Sequence, residues 1–403
     1  MRENYSGPRL LDNERLQMAT ERFSGTFNRS PEIIAYAPGR AEILGNHTDY
    51  NEGFVISCAV NLGCLFFCAG NNSKNCNIFA ADLDQTASFD ATDPSPLEND
   101  SWPNFVKGMY SILNTKYGSS ASPGFDAMIR SDIPAGAGLS SSAALEIAAG
   151  LAFQKLLGTT VEPIDLARIA QEAENTFVGA QCGLLDQISS LFGEENHFIL
   201  TDFRSLETRK LALSNNELCL IMCDTKKKHS LVDSKYNERR LECEQAAQFF
   251  KVQLQRPFTS LRDADHKAWD LVSKDMDETI ARRALHIIKE NKRVLQGRDI
   301  IEQGLDMENF GQLMFESHKS SRLNFENSCP ELDFVVRCAA HIEGALGARL
   351  SGGGFGGSAI ILADLQYAEK VCRRLETAFK KEFNCDCETG ILLPSQGACI
   401  VSA

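Results

Sequence analysis

Pro134-Ala135-Gly136-Ala137-Gly138-Leu139-Ser140-Ser141-Ser142-Ala143-Ala144-Leu145-Glu146 decides how the rest of the chain is read. Gly136 and Gly138 let the backbone turn sharply and approach a ligand closely. Serines follow where a helix should begin, and serine is a favoured N-cap. The apolar run 143–157 fits a buried helix with Gly158 as its C-terminal stop. Backbone N–H groups at such a helix start, with the positive end of the macrodipole behind them, form a phosphate site. No Gly-Lys-Ser/Thr follows, so this is not the P-loop. Any phosphate here is held by backbone, dipole and serine hydroxyls. A Gly/Ser turn that merely caps a helix is the plain alternative; the glycine spacing joined to the serine run favours the phosphate reading.

The chain has 403 residues, enough for two domains with their own cores. It is 43% hydrophobic and 24% charged, as globular proteins are. No apolar run reaches the ~18 residues of a membrane span. Residues 1–29 lack the apolar core of a signal peptide, so a cytoplasmic protein is expected. The net charge of −13 argues against non-specific nucleic-acid binding but not against a nucleotide held at one helix terminus. Fourteen cysteines include no C-x-x-C pair, which points to buried free thiols and not to zinc.

Outward from the Gly/Ser loop, residues 33–37 read as a strand that Pro38-Gly39 breaks. The polar stretch 40–53 follows, then strands over 54–60 and 64–69 joined at Asn61-Leu62-Gly63. Further strands are expected at 77–80, 87–90 and 125–129. Leu166, Ile169, Ala170, Ala173 and Phe177 recur at helical spacing, and Glu174 lies on that apolar face. A carboxylate there is costly unless paired or metal-bound, and a structural salt bridge is as good a reading as a ligand. Residues 179–183 break the helix. An apolar helical face resumes at Leu184, with Asp186 in its first turn.

Beyond about residue 205 the pattern changes. A strand is expected at 218–223, charged helices at 237–253, 278–296 and 332–346, and a strand at 359–363. A helix at 367–379 and a strand at 398–401 close the chain. Gly352-x-Gly354-x-x-Gly357 matches a dinucleotide fingerprint on paper, yet it comes late and leads into a strand. It reads as a Gly-rich turn between strands, or as a backbone wall against a ligand.

The loops 39–53, 134–146 and 349–358 together resemble the GHMP small-molecule kinases, the galactokinase family in particular. The resemblance extends to Trp102-Pro103-Asn104-Phe105-Val106-Lys107-Gly108, Ala173-Glu174-Asn175-Thr176-Phe177-Val178-Gly179 and Cys182-Gly183-Leu184-Leu185-Asp186-Gln187. It includes Tyr236-Asn237-Glu238-Arg239-Arg240 and Ser328-Cys329-Pro330-Glu331-Leu332-Asp333, all in the family's order. It implies an α/β (α+β) fold of two domains. Residues 1–205 would be ribosomal S5 domain 2-like, and 206–403, with the glycine loop 351–358, ferredoxin-like.

The resemblance also implies ATP with Mg²⁺. Gly136, Gly138, Leu139, Ser140, Ser141 and Ser142 would wrap the phosphates, and Trp102 and Phe105 would line the adenine pocket, although core packing explains these two aromatics equally well. Ser142 and Glu174 match the metal ligands. Asn46, His47, Asp49, Gly183, Asp186 and Tyr236 match sugar-contacting positions, and Arg40 with Asp186 matches the catalytic pair. One carboxylate such as Asp49 can accept from two sugar hydroxyls. Asp186 can take a hydroxyl proton as general base, and Arg40, always charged, can hold it and steady the transferring oxygens. Taken singly, Arg40 would be a solvated loop arginine and Asp186 a dipole partner.

Two departures stand out. Asn46 replaces the family's usual Glu, and Ala41-Glu42 its Val-Asn; Ser320-Ser321-Arg322-Leu323-Asn324-Phe325 lacks the acids of Ser-Leu-Arg-Asp-Asp-Tyr. Asn46 is expected near the sugar's C6 hydroxyl, with Glu42 as the residue that would restore a charge there. The expected reaction is ATP-dependent phosphorylation of galactose at its anomeric hydroxyl by a monomer that binds no nucleic acid and no membrane. The alternatives are a kinase for galacturonate or N-acetylgalactosamine, and a non-catalytic sensor of sugar and ATP.

Overall fold

The computed structural model describes residues 7–98, 102–118, 123–134, 136–180, 182–213, 217–227 and 232–402. Ala135 of the Gly/Ser loop and Gln181 of the 179–183 break lie outside the described residues. Packing divides the chain into two compact units, both discontinuous in sequence. The first comprises residues 7–40, 59–195 and 395–402; the second comprises 41–58 and 196–394.

In the first unit, helix α1 (Asn13–Phe27) begins at Asp12, whose carboxylate accepts from the amides of Glu14 and Arg15. Strand β1 (Ile33–Leu44) does not stop at Pro38-Gly39 as the sequence suggests. Ser190 Oγ donates to the Pro38 carbonyl and the Arg40 amide to the Leu139 carbonyl, so the backbone around the proline keeps its partners. Gly39 is needed for room, since a Cβ there would lie 2.6 Å from the Leu139 oxygen. Strand β2 (Phe54–Gly70) is also continuous, without the expected turn at 61–63. A Cβ on Gly63 would lie 2.4 Å from the Tyr36 ring, so this glycine admits an aromatic side chain and does not turn the chain.

Strands β3 (Asn75–Ala80), β4 (Gln85–Asp90) and β5 (Phe125–Ser131) continue this sheet, β3 running parallel to β5 and antiparallel to β4. Helix α2 (Trp102–Tyr117) packs on α3 (Ser141–Leu156), which in turn meets α4 (Pro163–Ala173) and α5 (Leu185–Phe192). The apolar run seen in the sequence is buried in α3, except that it also carries Glu146 inside with no exposed surface.

In the second unit, β6 (His197–Asp202) pairs with residues 54–57 and with β7 (Glu207–Ala212). Strand β8 (Leu218–Asp224) is followed by α6 (Val232–Leu254), α7 (His266–Val272), α8 (Glu278–Glu302), α9 (Met307–Ser320) and α10 (Pro330–Ala339). Strands β9 (Ala345–Leu350), β10 (Ser358–Asp364) and β11 (Glu388–Leu392) join β8 in an antiparallel sheet of order β11-β8-β10-β9, with α11 (Ala368–Phe383) packed on it. The helix expected over 332–346 ends at Ala339. Gly344 (φ 90°) turns the chain, and 345–350 pairs with β10 instead. The last strand, β12 (Cys399–Ser402), returns to the first unit and pairs antiparallel with β1.

Candidate active site

The candidate residues fall into two groups, one in each unit. In the first unit the Gly/Ser loop feeds α3 through three left-handed positions: Gly136 (φ 75°), Gly138 (φ 72°) and Ser140 (φ 55°). Ser140 is the N-cap residue by position, but its side chain makes no capping bond. Its hydroxyl donates to Asp186 Oδ2 instead. Ser140 therefore adopts a backbone conformation unfavourable for serine while its hydroxyl serves a carboxylate.

Asp186 stands in the first turn of α5. Its Oδ1 accepts from Arg40 Nε (2.8 Å) and lies 2.7 Å from Nη2, and Arg40 Nη1 donates to the Gly138 carbonyl at 2.6 Å. One guanidinium thus ties the carboxylate to the Gly/Ser loop. The Arg40 side chain is 8% exposed and that of Asp186 30%, so the acid keeps an open side. Gly183, half-buried, lies just before this helix.

Helix α4 ends in a wide π-type turn, Glu174–Val178, of the kind often found at functional sites. The turn brings Glu174 to Ser142, whose Oγ donates to its Oε1 at 3.3 Å. Cys182 Sγ (3.1 Å) and Gln187 Nε2 (3.1 Å) donate to Oε2. Burial pushes the Glu174 carboxyl up and the nearby Asp186 charge adds to the shift, against these hydrogen bonds. Gln187 also reaches Glu146 Oε2 at 3.3 Å, and burial together with the Glu174 charge pushes the Glu146 carboxyl well up. Glu146 Oε1 and Gln187 Oε1 are buried with no hydrogen-bond partner among the described residues.

A hydroxyl and a carboxylate beside a phosphate-type loop form an all-oxygen donor pair. Among the described residues no group of three or more His, Cys, Asp or Glu is placed to hold a metal. Mg²⁺ suits such a pair, because it takes one or two protein oxygens and fills its remaining positions with water and phosphate. A carboxyl raised by burial, with acceptor atoms beside it unpartnered, is an environment that a cation would relieve. The residues present fit that ion.

Trp102 and Phe105 are half-buried on the first turn of α2, and Trp102 Nε1 donates to Gln85 Oε1 at 2.9 Å.

In the second unit the stretch after β1 is held from beneath by α8. Glu290, with no exposed surface, accepts from the amides of Gly45 (3.1 Å) and Asn46 (3.3 Å), from Ser317 Oγ (2.5 Å) and from Arg293 Nε (2.7 Å). Burial works against this carboxylate, yet the charges of Arg293 and Arg349 and the Ser317 hydrogen bond hold it well below the usual range. His286 lies one turn earlier on the same helix. Its Nε2 meets the Asn46 carbonyl at 3.1 Å and must be the protonated nitrogen, since a carbonyl only accepts.

Asn46 is 1% exposed, and its side-chain hydrogen-bonding positions are all in use. Nδ2 donates to Glu42 Oε1 (3.2 Å) and the Gly352 carbonyl (2.8 Å); Oδ1 accepts from Ser321 Oγ (3.2 Å) and Asn327 Nδ2 (2.9 Å). Glu42 is itself paired with buried Arg349 at 2.8 Å.

His47 (φ 61°) directs Nε2–H to the Gly353 carbonyl (3.0 Å) and accepts from Tyr50 Oη at Nδ1 (2.8 Å). Burial lowers its pKa to about 3, so the ring is neutral. Tyr236, half-buried on α6, lies with its ring 5.1 Å from that of His47, and Asp49 opens a short 3-10 turn. The glycine loop is a turn between antiparallel β9 and β10, with Gly352, Gly354 and Gly357 at positive φ. At Gly354 a Cβ would also meet the Asn327 oxygen at 2.1 Å.

Sequence reasoning did not single out Gln187, Cys182, Glu290 or His286. Gln187 follows Asp186 directly, and that adjacency was a usable signal. Glu290 sits in Lys289-Glu290-Asn291-Lys292, which reads as a solvated helical face. Only the spacing of His286, Glu290 and Arg293 marks a polar stripe on one side of the helix.

Comparison with known proteins agrees along most of the chain. Residues 21–69 match the galactokinase galactose-binding signature, 104–194 the GHMP kinases N terminal domain and 300–381 the GHMP kinases C terminal domain. The chain is 38% identical over 384 residues to a galactokinase of Mannheimia succiniciproducens, covering 94% of this chain and 98% of that one. It is 37% identical over 367 residues to a galactokinase of Haemophilus influenzae, covering 91% and 94%. Its fold is similar to Lactococcus lactis galactokinase, solved in complex with galactose, with a TM-score of 0.89 at 28% identity over 95% of this chain and 99% of that one. A mevalonate kinase shares the fold with a TM-score of 0.61 at 18% identity, covering 90% of this chain and 98% of that one.

Proposed function

This chain belongs to the galactokinase family, and from that premise we propose that it transfers the γ-phosphoryl group of ATP to the anomeric hydroxyl of galactose, giving galactose 1-phosphate and ADP. The observation that carries the reading is the Arg40–Asp186 pair fastened to the Gly/Ser loop. Such transfer depends on positioning and charge stabilisation more than on covalent chemistry.

In this reading Asp186 accepts the proton of the attacking hydroxyl through its open side, while Arg40 and Ser140 fix its two oxygens. Gly136, Gly138, Leu139 and Ser140–Ser142 hold the phosphates at the start of α3. Ser142 and Glu174 would hold Mg²⁺, which when bound neutralises phosphate charge during transfer. Trp102 and Phe105 line the adenine. His47, Asp49, Gly183 and Tyr236 meet the sugar hydroxyls. Asn46 serves the sugar by shaping the loop, because its side-chain atoms are already engaged. The same reading takes residues 1–205 and 206–403 as the family's two domains, in a cytoplasmic monomer that binds neither nucleic acid nor membrane. Among the described residues no helix is long and apolar enough to cross a membrane.

The test is sugar-dependent ADP release with Mg²⁺ and ATP, run with galactose, galacturonate and N-acetylgalactosamine. Galactose should give the highest kcat/KM. No galactose-dependent ADP release, or a preference for galacturonate, would overturn the reading.

A further inference from the structure

We infer that the cleft formed by α8, α9 and the turn after α9 binds a small phosphate-bearing molecule. The cleft has a volume of about 450 Å³, within the range of small-ligand sites. Lys289, Lys292, Arg293 and Lys319 line it, with Glu316 as its one acidic side chain. This is a concentration of positive charge on a chain whose net charge is −13. Solvated lysines on an acidic protein ordinarily find carboxylates. Here Lys289, Lys292 and Lys319 are exposed and make no ion pair among the described residues.

Arg293 differs from the lysines. It is 6% exposed, its Nε donates to Glu290 Oε2 at 2.7 Å, and Nη2 lies 2.6 Å from the same atom. Close as it is to that oxygen, Nη2 is buried and makes no hydrogen bond of proper geometry among the described residues. The cleft therefore offers one fixed guanidinium N–H and mobile ammonium groups around it. Planar donors and point charges in this combination suit phosphate oxygens. Gln296 and Asn324 supply neutral hydrogen-bonding groups, which suit a hydroxylated remainder such as a sugar. An extended polyanion is disfavoured, because the rest of this acidic surface would repel it.

The cleft wall is also linked, through Glu290 and His286, to the stretch that holds Asn46. Arg293 braces Glu290, which accepts from the Gly45 and Asn46 amides. Ser320 on the wall bonds His286, which donates to the Asn46 carbonyl. An occupant acting on Arg293 or Ser320 acts on that loop. Insofar as the loop binds sugar, which rests on the proposed function, occupancy shifts the KM for galactose by roughly fivefold, a small allosteric coupling.

The experiment titrates inorganic phosphate and, separately, a hexose 1-phosphate into the full chain by calorimetry. Saturating Mg²⁺ and a non-hydrolysable ATP analogue keep the Gly/Ser loop filled. The comparison protein carries Lys289→Gln, Lys292→Gln and Lys319→Gln, all on exposed side chains. The wild type should retain one site, weakened about tenfold or more in the triple variant. A tighter hexose 1-phosphate arm shows that the carbon skeleton is read, and equal arms show that phosphate alone is read. Identical titrations in wild type and variant, or no binding at millimolar ligand, would overturn the inference. The titration reads binding and not turnover, so its failure is separate from failure of the galactose reading.

Discussion

The Gly/Ser loop region and the Asn46 region solve opposite problems with similar residues. Around Asn46 the charges are matched: Glu290 is ionised against Arg293 and two amides, His47 and His286 are neutral, and Asn46 uses both ends of its amide, although Arg293 Nη2, Arg349 Nε and Nη2 and Asn327 Oδ1 are buried without a hydrogen-bond partner among the described residues. Around Ser142 the groups do not close. Glu174 and Glu146 are pushed up by burial, and two buried acceptor oxygens have no partner. In the first region the unpartnered atoms belong chiefly to guanidinium groups already ion-paired with carboxylates. In the second the unpartnered atoms are acceptors, which the proposed cation would complete. Buried acceptors are costly without a donor or a cation to meet them, so on the proposed function the acceptor-rich region is the one that takes Mg²⁺.

The comparison can be broken at several points. The largest effect is expected at Asp186→Asn, which should lose roughly 10²–10⁴-fold in kcat through loss of the general base. The protein should still fold, because the change is nearly isosteric, with some loss of Tm from the Arg40 charge left without its counter-ion. Retention of more than about a tenth of kcat would mean that positioning alone carries the step.

Next comes Glu290→Ala, which leaves Arg293 and two amides without their acceptor. Removing one partner of a buried ion pair costs about 3–5 kcal/mol, measurable by urea unfolding. A loss under about 1 kcal/mol would show that the Asn46 region is not held from beneath by α8.

The pH dependence follows from the same groups. Burial lowers His47 to about 3 and His286 to about 4 from an ordinary 6.5. Between these values the unfolded chain binds protons that the folded chain does not, so stability falls as pH drops below about 6.5. Glu290, held well below the usual carboxylate range, adds a loss of the same sign below about 4.5. Unfolding free energies at pH 7, 5.5 and 4.5 should decline in that order; a flat profile would contradict the neutral histidines.

The smallest effect is expected at Glu146→Gln. Burial pushes its carboxyl well up and so favours the uncharged form, which an amide mimics; the exchange should change stability by no more than about 1 kcal/mol. A loss as large as that of Glu290→Ala would erase the contrast between the regions.

What the sequence discloses follows the same division. The Gly/Ser loop is legible because its glycines, serines and apolar helix are consecutive. Glu174 is legible because a carboxylate on an apolar face is conspicuous. Arg40 and Asp186 are 146 residues apart and became a pair only through family resemblance. The scaffold under Asn46 is hidden, because Glu290 lies in a charged run where burial leaves no local trace. Glycine misled twice: Gly39 and Gly63 yield to a carbonyl and a tyrosine ring inside strands, where propensity reads a turn. The helix expected over 332–346 overruns α10 into Ala345 and Leu346, the first residues of the strand Ala345–Leu350, because the apolar residues continue the helical period. Pairing with β10 outweighed that local preference.

The account is tested most directly by thermal melting of the wild type and of Glu174→Gln, each with Mg²⁺ and ATP and, separately, with galactose. The wild type should gain Tm from both additions. Glu174→Gln should lose most of the gain from Mg²⁺ and ATP and keep the gain from galactose. A variant that keeps the full Mg²⁺-ATP gain would contradict the claim that the acceptor-rich region is completed by a cation.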